Sequence, residues 1–285
     1  MVADPSDGAP AHGLSGVSAT LLTPLYGRAR AAELVPGTAF RDPLATRLIE
    51  ETGFRAPEVL TDRSNAAGAV HRAVVFDELT AAFAAHHPDG VVLSAGIGPD
   101  TRADRLASRT PGTIRWLGVD LPEVVRLRRE LLPADRVHVY EGSLTAPGWS
   151  FGPAREAAGR PVLVLTEGVL MYLEPEGLRS FLDDCRAAFG PGTELVADYF
   201  HPRIALSGRH PITRATGAHF RSGARDGRAL AATTPGWELL AEHGVMERIS
   251  TAHRAAAGLF RALTLGARPY ATAHLRATGD APAVR

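Results

Sequence analysis

The sequence predicts an α/β protein built on a doubly wound, Rossmann-like parallel sheet, with a helical cap before the sheet and a lid after its fifth strand. Two observations carry this. Short apolar runs rich in β-branched residues, Val91–Ala95, Ile114–Val119, Val137–Tyr140, Val162–Thr166 and Glu194–Phe200, recur with helical segments between them, as strands buried on both faces do. The first run passes directly into Gly96-Ile97-Gly98, and the second ends at Asp120.

Taken in order, residues 1–16 are small and polar with Gly and Pro, the composition of a disordered tail. Residues 17–87 read as the helical cap. Leu21, Leu22, Leu25 and Tyr26 have helical spacing, Asp42-Pro43 starts a helix carrying Leu44, Leu48 and Ile49, and Val70, Val75, Leu79 and Phe83 share a face of a helix from about Asn65 to His86. Pro88-Asp89-Gly90 ends that helix. Leu121-Pro122 opens a charged helix reaching Leu131, and a helix from Pro175 to Phe189 is stopped by Gly190-Pro191-Gly192. Residues 201–235 mix His, Arg, Gly and Pro without a clean period, which suits a lid. Trp237–His243 reads as a helix closed by Gly244, with Val245–Ile249 and Tyr270–Leu275 as a final antiparallel strand pair. Residues 17–285 are thus expected to form one domain.

The 285 residues carry 31 basic and 31 acidic side chains, so no charge imbalance favours nucleic acid or an anionic membrane, and a small-molecule partner is expected. Monomer and homodimer stay equally open. Every basic residue is arginine. Schiff-base chemistry, a pyridoxal phosphate anchor and a phosphate-loop lysine are therefore excluded. Cys185 is the only cysteine, so a multi-cysteine metal site and an internal disulfide are excluded too, and a buried helical position suits it. His210 and His219 lack metal-ligand spacing, and no metal is expected. There is neither a membrane-length apolar run nor a basic-then-apolar leader, and a cytoplasmic location is the default.

A buried strand followed by two glycines brings the backbone close to a ligand at the mouth of the sheet. Asp120, at the end of the next strand, is placed to accept ribose hydroxyls, although capping the following helix is an alternative. The turn lacks the third glycine of a dinucleotide fingerprint, which argues against an NAD-dependent oxidoreductase. Asp100 would meet a pyrophosphate unfavourably. A nucleoside without phosphate and with a cationic centre fits better, and S-adenosylmethionine is such a ligand.

Five blocks then appear in order: Ala19-Thr20-Leu21-Leu22-Thr23-Pro24-Leu25-Tyr26-Gly27-Arg28-Ala29, Phe40-Arg41-Asp42-Pro43, Val91 to Arg102, Val119 to Val124, and Glu167-Gly168-Val169-Leu170-Met171-Tyr172-Leu173. In these blocks the chain resembles the leucine carboxyl methyltransferase family, in particular its bacterial branch of polyketide O-methyltransferases. The resemblance implies a class I methyltransferase sheet that binds S-adenosylmethionine. It implies that Arg72 pairs with the cofactor carboxylate, that Gly96 passes under the methionine moiety with Gly98 and Asp100 in the same turn, and that Asp120 holds the ribose. Ser143 and Leu144 would flank the adenine, and Glu167 would stand near the amino-acid end. Two departures stand out: the family usually has aspartate where Ser143 stands, and Pro99 stiffens the glycine turn.

The expected reaction is O-methylation of a carboxyl or hydroxyl group of a small, polyketide-like natural product. A carboxylate acceptor is already ionised and needs no base, whereas a phenol with a pKa near ~10 benefits from one. His201 and Tyr172 are the candidate bases, and Tyr26, Arg28 and Arg203 the candidate substrate contacts. The departure at Ser143 keeps a second reading open: a cofactor-binding homologue that cyclises, isomerises or only binds a ligand.

Overall fold

The computed structural model describes residues 21–52, 63–207 and 217–279; the expected tail at 1–16 and His210 lie outside them. Four helices precede the sheet: α1 (Leu22–Ala29), α2 (Ala31–Leu34), α3 (Pro43–Thr52) and α4 (Arg63–His86). The chain then alternates through β1 (Val91–Ala95), α5 (Arg102–Arg105), β2 (Arg115–Asp120), α6 (Pro122–Leu131), β3 (His138–Glu141), α7 (Phe151–Ala157), β4 (Val162–Thr166), α8 (Pro175–Phe189) and β5 (Glu194–Phe200). After α9 (Pro202–Ala205) and a short helix at Gly227–Ala231 come β6 (Trp237–Gly244), a helix at Thr251–Leu263 and β7 (Tyr270–Ala277).

The strands form one sheet in the order β3-β2-β1-β4-β5-β7-β6. The first five are parallel, and β7 runs antiparallel to both of its neighbours. The order reverses between β1 and β4, so the chain leaves these two strands in opposite directions and a crevice opens at their carboxyl ends.

Strand alternation divides the core into two layers. Val91, Leu93 and Ala95 pack with Leu182 and Cys185 of α8 and with Phe181, whose ring stacks on Trp149 at 5.4 Å. Val92 points the other way, with Leu163 and Leu165, onto Phe76 and Phe83 of α4. α4 has a third contact, because Val70 and Ala73 pack against Ala31 and Phe40 of the cap. Lying between cap and sheet, it buries side chains on several sides, including Arg72, Asp77 and Thr80.

Strands β1 to β5 fall within a residue or so of their expected positions; the C-terminal reading needs correction. Trp237–Gly244 is a strand, not a helix: Trp237 and Leu239 face inward two residues apart, and a bulge between Leu239 and Ala241 breaks the alternation that would have marked it. Val245–Ile249, expected as a strand, contains the 3-10 turn Met246–Arg248. β6 therefore supplies the strand that pairs with β7, which does run antiparallel as expected. The helix Thr251–Leu263 is additional; Ser250 caps it by accepting the His253 N–H. No helix among the described residues is long and apolar enough to cross a membrane.

Candidate functional site

The glycine turn leaves β1 with Gly96 at φ +76°, and its N–H donates to the Val119 carbonyl at 2.8 Å. A Cβ at Gly96 would lie 2.5 Å from Val169 Cγ2, so both the dihedral and the space demand glycine. Gly98 N–H donates to Asp120 Oδ2 at 2.7 Å, and Leu121 N–H donates to Oδ1 at 2.8 Å. Asp120 thereby holds the turn and the start of α6 in one register. Each oxygen keeps a second acceptor position. Burial pushes the Asp120 carboxyl up, and the two backbone donors offset only part of that effect. From α6, Arg128 donates to the carbonyls of Gly98 (2.8 Å) and Asp100 (2.6 Å), its guanidinium fixed in turn by Asp135.

Beneath the turn lies a buried ionic network. Arg72 of α4 donates to Glu167 Oε1 (3.0 Å), Asp198 Oδ2 (3.0 Å) and the Tyr270 hydroxyl oxygen (2.9 Å). Arg102 donates to Asp77 (2.8 Å), Asp100 (2.6 Å) and Glu167 Oε2 (2.6 Å). Glu167 at the end of β4 is therefore clamped between two guanidiniums, as charge-assisted bonds of this length imply. Burial alone would raise its carboxyl, but Arg72 and Arg102 hold it below the usual carboxylate range. Asp198 Oδ1 accepts the Gly168 N–H at 2.7 Å, tying β5 to the loop after β4. Burial, together with Asp198, pushes the Tyr270 hydroxyl up, so it stays a donor to that carboxylate at 2.7 Å.

Two clefts open over this network. The first, about 700 Å³, is lined by Gly96, Gly98, Asp100, Arg102, Glu167 and Gly168 among others. The second, about 1020 Å³, is walled by Met171, Phe200, Ile204, Phe220, Met246 and Ile249. Pro24, Arg72 and Tyr172 line both, so the two clefts adjoin at these side chains.

Of the residues singled out from sequence, Arg72, Gly96, Gly98, Asp100 and Glu167 line the first cleft, and Tyr172 stands at the junction. Asp120, Ser143 and Leu144 lie beside it at the carboxyl edge of the sheet: Glu141 pairs with Asp120 across the strands, and Ser143 follows two residues later. Ser143 Oγ is 3.0 Å from Thr145 Oγ1, and the Leu144 side chain is in the core. Arg28 also lines the cleft, but it is spent on Asp42 (3.1 Å) and the Pro99 carbonyl (2.8 Å), bolting the cap to the glycine turn instead of offering a free cation to an acidic substrate.

Three candidates lie elsewhere. His201 caps α9 by accepting the Arg203 N–H at Nδ1, stands edge-on to Phe260 at 5.0 Å, and lines neither cleft, a position that suits capping better than proton abstraction. Burial, then Arg203 and Arg225, push its pKa down. Arg203 is exposed on α9, and Tyr26 lies under the Arg30 guanidinium at 6.0 Å; neither lines a cleft. His219 is exposed, and no group of metal-ligating side chains occurs among the described residues. Sequence reading missed Arg102, Asp198 and Tyr270. Asp198 alone left a signal, as an acidic residue inside an otherwise apolar strand.

The residues present fit a sulfonium nucleoside. The first cleft is floored by the glycine turn at Gly96, where a Cβ would clash with Val169; carboxylates stand at the turn and after β4, and the guanidiniums of Arg28, Arg72 and Arg102 line it. Comparison with known proteins agrees. Residues 22–145 match the family described as leucine carboxyl methyltransferase. The tetracenomycin polyketide synthesis O-methyltransferase of Streptomyces glaucescens is 30% identical over 224 residues, covering 78% of this chain and 81% of that protein. A Parafrankia protein, assigned by inference as an S-adenosyl-L-methionine-dependent methyltransferase, is 29% identical over 210 residues, covering 66% of this chain and 64% of its own length. Among solved structures, a Thermobifida fusca protein assigned by inference as a methyltransferase shares the fold with a TM-score of 0.58 at 16% identity, covering 93% and 96% of the two chains.

Proposed function

Because this chain belongs to the leucine carboxyl methyltransferase family, we propose that it is an S-adenosylmethionine-dependent methyltransferase acting on an oxygen, carboxylate or hydroxyl, of a small natural product. The single observation that carries the reading is the junction of the clefts at Arg72 and Tyr172. It joins a polar, backbone-floored cavity to an apolar one. Bound there, S-adenosylmethionine supplies an electrophilic methyl group on a sulfonium, and the protein has to align an acceptor oxygen with it and exclude water.

Each residue then has a definite task. Arg72 binds the carboxylate end of the cofactor, and Glu167, kept ionised by two arginines, favours the cationic end. Gly96 lets the methionine moiety approach the backbone. Asp120 accepts ribose hydroxyls on its remaining lone pairs, while Ser143 and the backbone around Leu144 border the adenine. Tyr172 orients the acceptor at the junction. Incubating the protein with S-adenosylmethionine and a panel of aromatic acids and phenols is expected to yield S-adenosylhomocysteine in step with O-methylated product. Cofactor binding without turnover across the whole panel would instead favour the non-methylating reading raised by Ser143.

A further inference from the structure

We infer that Asp198 and Tyr270 are positioning residues for cofactor binding: they hold Arg72 by one nitrogen and leave its Nη2 for the carboxylate at the cofactor's amino-acid end. This rests on the methyl-transfer reading above, in which Arg72 meets that carboxylate, and assigns what keeps the guanidinium able to do so.

A guanidinium has five N–H groups and, beside a carboxylate, favours a two-pronged pair. Arg72 faces two carboxylates and forms no such pair with either. Glu167 accepts at Oε1 from Nε (3.0 Å), while its Oε2 is turned to Arg102 Nη2 at 2.6 Å. Asp198 accepts at Oδ2 from Nη1 (3.0 Å), while its Oδ1 accepts the Gly168 N–H at 2.7 Å. Nη1 also donates to the Tyr270 hydroxyl oxygen at 2.9 Å, and that hydroxyl donates its own proton to Asp198 Oδ2 at 2.7 Å. Nε and Nη1 are thus fully engaged among the described residues, and both N–H groups of Nη2 are left.

Nη2 has open space beside it. Arg72 lines the first cleft next to Gly168, another lining residue, which holds φ +71°. A Cβ there would lie 3.2 Å from Nη1 and 3.4 Å from Nη2, so the glycine leaves bare a face of the guanidinium that any side chain would cover. Tyr270 guards the other flank. Without its hydroxyl, Asp198 Oδ2 loses a donor and Nη1 loses an acceptor. The nearest remedy for both is a two-pronged pair of Nη1 and Nη2 with Asp198, which withdraws Nη2 from the ligand. The phenol is itself fixed, because its ring stacks on Phe200 at 4.2 Å with an interplanar angle of 12°.

The test is a calorimetric comparison, on the full-length protein, of S-adenosylhomocysteine with 5′-deoxy-5′-(3-aminopropylthio)adenosine, the same molecule without its carboxylate. The intact protein is expected to favour S-adenosylhomocysteine by about tenfold or more. Tyr270→Phe keeps the ring stack and removes only the hydroxyl. It should cut that preference by at least about threefold while leaving the affinity for the analogue unchanged. Arg72→Lys keeps a charge for Asp198 and Glu167 but has no second nitrogen to present, and should abolish the preference; adding Tyr270→Phe to it should change nothing further. A hydroxyl that only steadies the fold would shift both ligands alike. Equal binding of the two ligands by the intact protein, an unchanged preference in either single variant, or equal losses for both ligands in Tyr270→Phe overturns the inference and leaves the methyltransferase reading standing. Failure of S-adenosylhomocysteine to bind the intact protein removes that reading, and the inference with it.

Discussion

Arg102→Ala is expected to lower the unfolding free energy by about 3–5 kcal/mol, because it removes one partner of a buried ionic cluster and strands the others. The Arg102 side chain is 2% exposed and bonds three carboxylates, those of Asp77, Asp100 and Glu167. The pH dependence follows from the sign of the shifts. Burial raises the carboxyls of Asp100 and Glu167, but the surrounding arginines override it and hold both below the usual range. Their contribution to stability is therefore present above the ordinary carboxylate pKa, about 4, and is lost as the pH falls through the lower folded values. In the variant the Arg102 share of that contribution is gone, while Arg72 still holds Glu167 and Arg105 still faces Asp100, so the deficit should be largest at neutral pH and narrow on acidification. Urea unfolding at neutral and acidic pH measures it; a neutral-pH loss below about 1 kcal/mol would mean that the cluster carries little of the fold.

Gly96→Ala should weaken S-adenosylhomocysteine binding by about a hundredfold. The added Cβ would sit 2.5 Å from Val169 Cγ2, and the residue would have to hold φ +76°, so the turn must move away from the position that leaves its backbone open to the cofactor. Gly159→Ala separates the two costs. Gly159 has φ +77° with nothing within 4 Å of an added Cβ, so this variant carries the dihedral strain, about 1–2 kcal/mol, without a clash. It should lose stability and keep full cofactor affinity, as calorimetry on both variants will show.

The parallel half of the fold was legible in the sequence because its signals are local. Val91–Ala95 is buried throughout and apolar except for Ser94, a two-glycine turn follows, and Asp120 closes the next strand, so chain order places the crevice without any long-range contact. β6 was not legible, since its bulge and its partly exposed edge position spoil the two-residue period that distinguishes strand from helix. The helix at Thr251–Leu263 carries so much alanine, arginine and exposed leucine that it presents almost no buried face; Ala257 is its one fully buried residue.

Within the site the divide has the same cause. Gly96, Asp120 and Glu167 follow strand ends and can be found from them. Arg72, by contrast, meets Glu167, Asp198 and Tyr270 across 95, 126 and 198 positions of sequence, which no local pattern encodes. A chain with arginine as its only basic residue hides the point further, because Arg102 looks like its many exposed counterparts. Arg203 and His201 were drawn in by their closeness in sequence to the fifth strand, but α9 turns one into solvent and uses the other as its cap.

The decisive measurement is a calorimetric titration of the intact protein and of Asp120→Ala with S-adenosylhomocysteine. A nucleoside lying across the carboxyl ends of β1 and β2 predicts saturable one-to-one binding by the intact protein and a loss of about 1–3 kcal/mol when the ribose acceptor is removed. Absence of heat from the intact protein, or the same affinity in both, would contradict it.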